Sequence, residues 1–352
     1  MTQVKKDILL RLLDRHRDLG ISSQIDFDKF YLYSIIVHST AIEGSTVTEV
    51  EAQLLFDEGI TSSKRTVLEQ MMNLDLKVAY DYGREWIKRH EPITVEWLIT
   101  LASKVMARTG SEYSAMGGNF SAAKGELRKL NVSAGIGGKS YMSYLKVPER
   151  LKAFCEELNR RRKTIDPTDI CAVYDLSFWA HYELVTIHPW ADGNGRTCRL
   201  LMNLLQWEFG VLPTKVLKED KATYIQALID TREVEDIAIF QNCMATLHAQ
   251  HLRTDIDQYL KSVVSTIEMV DKQALRQKMV DKWSIKPSLA EKLADILEFV
   301  AEKEVFTTED IVRHFNLTPT TAKRNLRQLT GFGYLEAHGG NRNRSYKLVL
   351  FS

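Results

Sequence analysis

The chain has 352 residues, 44% apolar and 26% charged, with a formal net charge of +1. That length holds more than one domain, and so even a balance excludes a molecule driven to its partner by bulk charge. No apolar run reaches the length of a bilayer-spanning helix. Cys155, Cys171, Cys198 and Cys243 form no CxxC pair and read as reduced thiols of a cytoplasmic protein. The opening MTQVKKDILLRLLDRH is charged and amphipathic and does not read as a secretory leader.

Helical periodicity dominates the first 260 residues or so. Phe27 to Val37 predicts a short helix and Val47 to Asp57 another. Ser63 to Arg89 predicts a long one, with Leu68, Met72, Leu76, Ala79 and Trp86 at three- and four-residue steps, and a further helix is expected from Val95 to Arg108. Gly110 to Lys146 is glycine-broken, through Gly117, Gly118, Gly125, Gly135, Gly137 and Gly138, and Lys139 to Val147 predicts a short hairpin or flap. Helices follow over Leu151 to Arg161, Pro167 to Leu184, Asn194 to Phe209 and Val234 to Leu260, with Tyr174, Phe178 and Tyr182 on one stripe. Ser265 to Lys286 lacks a clear pattern and reads as a linker. Beyond it the character changes. Leu289 to Glu302 and Thr308 to Phe315 predict helices, and Thr318 with Pro319 opens a third that runs to Thr330. Tyr334 to Ala337 and Ser345 to Leu350 then read as a two-stranded wing. From Ile311 to Ser352 there are seven Lys or Arg against one acidic residue, Glu336.

One stretch concentrates chemistry: His188, Pro189, Trp190, Ala191, Asp192, Gly193, Asn194, Gly195, Arg196, Thr197, Cys198 and Arg199. A Gly-Asn-Gly turn at a helix start offers converging backbone N–H groups and a favourable helix dipole to an anion. Arg196 and Arg199, three residues apart, point to one side of that helix, and arginine's rigid fork suits phosphate. A neutral His188 would accept a proton from a hydroxyl. Asp192 is better suited to a divalent cation between phosphates than to proton transfer. Taken singly, the histidine is a structural helix-end residue, Asp192-Gly193 a turn, and the arginines surface partners of Glu183 or Glu208. The whole cluster is what argues for a phosphate-handling active site.

The run resembles the motif of the Fic family, His-x-Phe-x-Asp/Glu-Gly-Asn-Gly-Arg-x-x-Arg, matched at every fixed position except that Trp190 stands for the aromatic. The similarity covers roughly Asp26 to His251. It implies a mainly α fold: a Fic-type helical core with a short β-hairpin flap, here joined to a C-terminal winged helix domain. The expected division is 1–60 for N-terminal helices, 61–262 for the catalytic core, 263–287 for a linker or bridging helix, and 288–352 for the winged helix-turn-helix. Typical members move AMP from ATP to a Ser, Thr or Tyr hydroxyl. By that resemblance His188 is the catalytic base and Asp192 holds Mg2+. Gly193, Asn194 and Gly195 form the anion hole, Arg196 contacts the phosphates, Arg199 holds the γ-phosphate, and Trp190 anchors the loop. The glycine-rich flap pairs with the target, although the proline-rich run many relatives carry after it is missing.

Ser39-Thr40-Ala41-Ile42-Glu43-Gly44 fits the family's inhibitory motif, Ser/Thr-x-x-x-Glu-Gly/Asn. The resemblance implies that Ser39, Glu43 and Gly44 form an inhibitory element, with Glu43 occupying Arg199 and lowering activity by several orders of magnitude. In the C-terminal domain Lys323, Arg324 and Arg327 lie on one helix, and Arg342 and Arg344 on the wing tip, a pattern that fits duplex DNA. The expectation is an autoinhibited, Mg2+- and ATP-dependent protein adenylyltransferase that also modifies itself. Its partners are a target protein bearing a hydroxyl side chain, a second copy in a homodimer, and duplex DNA, with no membrane. Two alternatives stand beside it. The same site would remove AMP from a modified protein, or the chain is a nucleotide-sensing, DNA-binding regulator.

Overall fold

Threonines start most of the early helices. The computed structural model describes residues 1–134, 139–269, 272–301, 303, 305–340 and 344–349. Helices α1 (Gln3–Asp18) and α2 (Phe27–Ile42) are joined through a 3-10 turn at Ile21–Ser23. Thr48 and Thr66 cap α3 (Glu49–Asp57) and α4 (Val67–Ile87), each in a reciprocal capping box with Glu51 or Glu69. The Thr94 hydroxyl accepts the Trp97 N–H at the start of α5 (Val95–Val105). Thus α2 runs one further turn than its pattern predicts, to the residue before Glu43.

Strands β1 (Glu112–Ala115) and β2 (Gly118–Ser121) form an antiparallel hairpin, with Glu112 opposite Ser121 and Ala115 opposite Gly118. The flap expected over Lys139 to Val147 is built differently. Ser140 bridges back to Ser133, and Tyr141 N–H donates to the Val132 carbonyl, while Tyr144–Lys146 coils into a 3-10 turn. The reason is local. Pro148 occupies the first turn of α6 (Val147–Thr164), so the chain is already helical where a second strand was expected. Gly135, Gly137 and Gly138 lie outside the described residues.

Helices α7 (Ile170–Ile187), α8 (Asn194–Glu208), α9 (Lys221–Val234) and α10 (Ile237–Met269) complete the core. Every residue of α8 from Arg196 to Gln206 is buried. Leu200, Leu201, Leu204 and Leu205 pack with Leu76, Tyr80, Leu98 and Leu101 of α4 and α5. Met202 packs with Tyr174, Tyr224, Phe240 and Met244 of α7, α9 and α10. A helix buried all round is a rigid place to hang a site. α9 has no counterpart in the sequence reading, because Ile225 and Ile229 are exposed while Tyr224, Ala227 and Thr231 are buried.

The chain divides into two compact units, Met1–Arg253 and Thr254–Ser352. The second contains α11 (Lys272–Trp283), α12 (Pro287–Ala301), β3 (Phe306–Thr307), α13 (Thr308–Phe315), α14 (Pro319–Gly331), β4 (Leu335–His338) and β5 (Ser345–Leu348). Its sheet has the order β3-β5-β4, antiparallel throughout. Thr318 caps α14 through the Thr321 N–H, and Ala322, Leu326 and Leu329 are buried with Leu293, Leu297, Tyr334 and Tyr346. Where a linker was read, Trp283 at the end of α11 stacks on Phe332 at 4.4 Å. Among the described residues no helix is long and apolar enough to cross a membrane.

Candidate active site

The site lies where α7 ends and α8 begins. His188 terminates α7 in the left-handed conformation, φ +51°, its N–H returning to the Leu184 carbonyl at 3.1 Å. The loop then dives inward. Trp190 is 1% exposed and its indole N–H donates to the Gly125 carbonyl at 2.9 Å. The Asn194 carboxamide folds back on the same residue. It accepts the Trp190 N–H at 3.1 Å and donates to the Trp190 carbonyl at 2.8 Å. Gly193, at φ +81°, is the N-cap of α8, and a Cβ there would meet Met106 Sδ at 2.7 Å. The first-turn N–H groups of α8 have no partner within the helix, as at any helix start.

Two buried arginines rise from that turn. Arg196 lies 3.1 Å from Met106 Sδ and 3.4 Å from Asp192 Oδ1, while its Nε and Nη1 are buried and meet no acceptor. Arg199 is fully engaged. Its Nε donates to Ser39 Oγ at 2.9 Å, and its Nη2 donates to the Ser39 carbonyl at 2.9 Å and to Glu43 Oε1 at 2.7 Å. Glu43 is the C-cap just after α2, its side chain about one-third exposed. A Cβ on Gly195 would sit 2.8 Å from Glu43 Oε1 and 3.0 Å from Arg199 Nη1, so the carboxylate lies directly over the helix start. Burial pushes the Glu43 carboxyl up, but Arg199, with Arg196 and Lys221 behind it, outweighs this and holds it below the ordinary carboxylate range.

His188 is half-buried at the other side of the turn. Burial drives the His188 imidazole down to about 4, with Arg128 lowering it further and Asp192 raising it, and the ring Nδ1 is buried without a hydrogen-bond partner. The ring is therefore neutral at pH 7. Arg128, 1% exposed, braces the loop from behind. Its Nε donates to the His188 carbonyl at 2.8 Å, its Nη1 and Nη2 to the Leu130 and Met142 carbonyls, and its backbone N–H to the Pro189 carbonyl at 2.9 Å. Tyr141 stacks on the His188 ring, centroids 3.9 Å apart and planes 19° apart.

Comparison with known proteins addresses this constellation directly. Residues 92–206 match the model of the Fic/DOC family. That segment, about a third of the chain, is similar to the Fic/DOC family. The chain is 25% identical over 246 residues to protein adenylyltransferase fic-1 of Caenorhabditis elegans, covering 69% of this chain and 44% of that one. It is 28% identical over 194 residues to protein adenylyltransferase Fic of Nematostella vectensis, covering 55% and 42%. The chain thus spans less than half the length of these curated relatives. In fold it resembles a Fic domain-containing signaling protein of Bacteroides thetaiotaomicron, with TM-score 0.58 and 21% identity over 71% of this chain and 95% of that one. A Fic family protein of Desulfovibrio desulfuricans G20 aligns over 100% of this chain and 98% of its own at TM-score 0.57 and 17% identity.

Within this helical core, His188, Gly193, Asn194, Gly195, Arg196 and Arg199 lie together at one helix start, and Ser39 and Glu43 reach them from α2. Gly44, at φ +108°, turns the chain away after Glu43. The Asn194 side chain faces its own loop, so only its backbone is free for an anion. Neither arginine bonds the surface carboxylates considered above, since Glu183 pairs with Arg150 and Glu208 with Arg162. Arg128, Tyr141, Lys221 and Tyr224 escaped the sequence reading, having no motif to mark them. Orphaned buried donors on Arg196 and a cradle too tight for a Cβ at Gly195 suit phosphate oxygens. Among the described residues no group of three or more His, Cys, Asp or Glu could hold a metal unaided. The lone Asp192 carboxylate, 55% exposed, fits the way Mg2+ is shared between a protein carboxylate and substrate phosphates.

Proposed function

We propose that this chain is an autoinhibited protein adenylyltransferase, transferring AMP from ATP to a Ser, Thr or Tyr hydroxyl of a target protein and of itself. The observation that carries the reading is the Glu43 carboxylate seated on Arg199 over Gly195, the place an anion would take beside the free donors of Arg196. With Glu43 withdrawn, Arg199 and Arg196 receive phosphates together with the N–H groups of the first α8 turn. Neutral His188 takes the proton of the incoming hydroxyl. The hydroxyl oxygen bonds the α-phosphorus, the bond to the bridging oxygen breaks, and pyrophosphate leaves. Asp192 would hold Mg2+, which would supply charge neutralisation to the phosphates when bound.

Intact-mass measurement after incubation with ATP and Mg2+ tests this on three proteins. One added AMP is expected on Glu43→Gly, little on wild type and none on His188→Ala. Equal incorporation by wild type and Glu43→Gly would sink the inhibitory role. No incorporation by any of them, with release of AMP from a modified protein, would favour the reverse reaction.

The second unit is read as a winged helix that takes duplex DNA, with 263–287 and 288–352 as its expected divisions. Supporting this, Lys323 and Arg327 of α14 and Arg344 before β5 line one cleft of about 790 Å³ with Thr307 and Thr308. Arg324 is not among its lining residues, and Arg342 lies outside the described residues. Binding of a mixed-sequence duplex that weakens with salt and with Lys323→Ala would support it. A homodimer and a cytoplasmic location belong to the same reading, the first checked by mass in solution.

A further inference from the structure

Tyr141 belongs to none of the motifs, yet it lies flat on the imidazole at 3.9 Å and 19°. It is held there from a third element. Arg232, on the last turn of α9, donates to the Ser140 carbonyl, and its guanidinium carbon sits 5.5 Å from the Tyr141 ring centroid. The neighbouring pair Lys139–Glu233, at 3.1 Å, ties the same segment to the same helix end. Tyr141 N–H in turn bonds the Val132 carbonyl, so the returning segment is held from both sides.

The His188 backbone is set by α7 and by Arg128, but a backbone fixes neither the plane of an imidazole nor its dryness. A ring that turns freely about χ2 presents its nitrogens in many directions. An aromatic plate on one face removes that freedom and excludes water from the same face. We infer that Tyr141 is a positioning residue for the base, acting by its ring and not by its hydroxyl, and that Arg232 is the brace that keeps it stacked. The inference rests on the adenylyltransferase reading for its consequence, though not for its geometry. Charged groups acting on His188 are Arg128 from the loop before the flap and Asp192 from its own loop. Arg232 reaches it only through Tyr141.

The test uses the full chain in the Glu43→Gly background and two readouts. In the first, the His188 Cε1–H resonance is followed by NMR from pH 5 to pH 8. With Tyr141 present the ring stays neutral and its shift is flat. In Tyr141→Ala water reaches the freed face and His188 titrates inside the window, toward the ordinary value near 6.5. Tyr141→Phe keeps the plate and stays flat, and Arg232→Ala moves part of the way. In the second readout kcat for AMP transfer falls roughly ten- to a hundredfold in Tyr141→Ala, as expected for a misoriented base. KM for ATP holds within about threefold, and Tyr141→Phe recovers most of the rate. A flat His188 titration in a folded Tyr141→Ala protein would overturn the inference. So would a loss in Tyr141→Phe equal to that in Tyr141→Ala, since it would move the role to the hydroxyl. If no variant makes product, the adenylyltransferase reading fails while the NMR result still decides the stacking role.

Discussion

Glu43 answers to one buried arginine while a third of its own side chain stays in water. A charge-assisted hydrogen bond in that setting is worth about 2–3 kcal/mol. Solvent on the carboxylate reduces what full burial would give, so the several orders of magnitude implied by the motif shrink to roughly 30- to 150-fold. Initial rates of AMP incorporation by Glu43→Gly and wild type measure that ratio. The pH behaviour has a definite sign. The folded Glu43 carboxyl is held below its ordinary value, so the ion pair is intact above the carboxylate range and lost only as pH falls through the lowered value. Inhibition is therefore expected to be constant from pH 6 to pH 8. Arg128 makes a different kind of contribution, bracing the carbonyls of His188, Leu130 and Met142. Arg128→Met should cost about 3 kcal/mol in urea unfolding and lower kcat at least about tenfold by loosening the loop. The difference in legibility between these residues is physical. His188 to Arg199 can be picked out because a turn and the helix start it feeds are contiguous in the chain, and Glu43 because its pattern is short. Arg128 and Tyr141 act through backbone carbonyls and ring stacking across the fold, which leave no trace in spacing.

Helix α9 shows the same limit one level up. Its start has no side-chain cap and its apolar residues form no single stripe, so neither termini nor periodicity mark it. By contrast, Thr318 with Pro319 announces α14, and Thr48 and Thr66 announce α3 and α4. Yet α9 touches several parts of the site. Lys221 Nζ donates to the Ile42 carbonyl at 2.7 Å, capping the helix that delivers Glu43. Tyr224, hydrogen-bonded to His181 Nε2 at 2.9 Å, presents its ring 6.0 Å from the Arg199 guanidinium carbon. A cation at a helix C-terminus is worth about 0.3–1 kcal/mol. Lys221→Ala should therefore weaken the seating of Glu43 and raise AMP incorporation about two- to fivefold. The same change in the Glu43→Gly background should give no increase, because the carboxylate it helps to seat is gone. A matching increase in both backgrounds would place Lys221 on the substrate side instead.

At the scale of the first unit, the core is built around histidines kept neutral. His181 and His248 are each 0% exposed, bonded to the hydroxyls of Tyr224 and Tyr174 at 2.9 and 3.0 Å. Burial drives His181 down to about 3 and His248 well below its ordinary value, and His188 sits near 4. In the unfolded chain all three bind a proton near pH 6.5. Between the folded and unfolded values the unfolded state holds more protons, so stability rises with pH up to about 6.5 and is flat above it. Going from pH 7 to pH 5 should cost up to about 2 kcal/mol for each of His181 and His188, a large part of a domain's usual 5–15 kcal/mol. Urea unfolding followed by tryptophan fluorescence reads this unit, since every tryptophan but Trp283 lies in it. The midpoint should hold from pH 8 to pH 7 and fall steadily to pH 5. His181→Gln keeps a partner for the Tyr224 hydroxyl but cannot bind a proton, so its midpoint should fall less steeply, by about one proton fewer taken up on unfolding near pH 5.5. An unchanged slope in that variant would mean that the folded His181 is already protonated, against the burial that surrounds it.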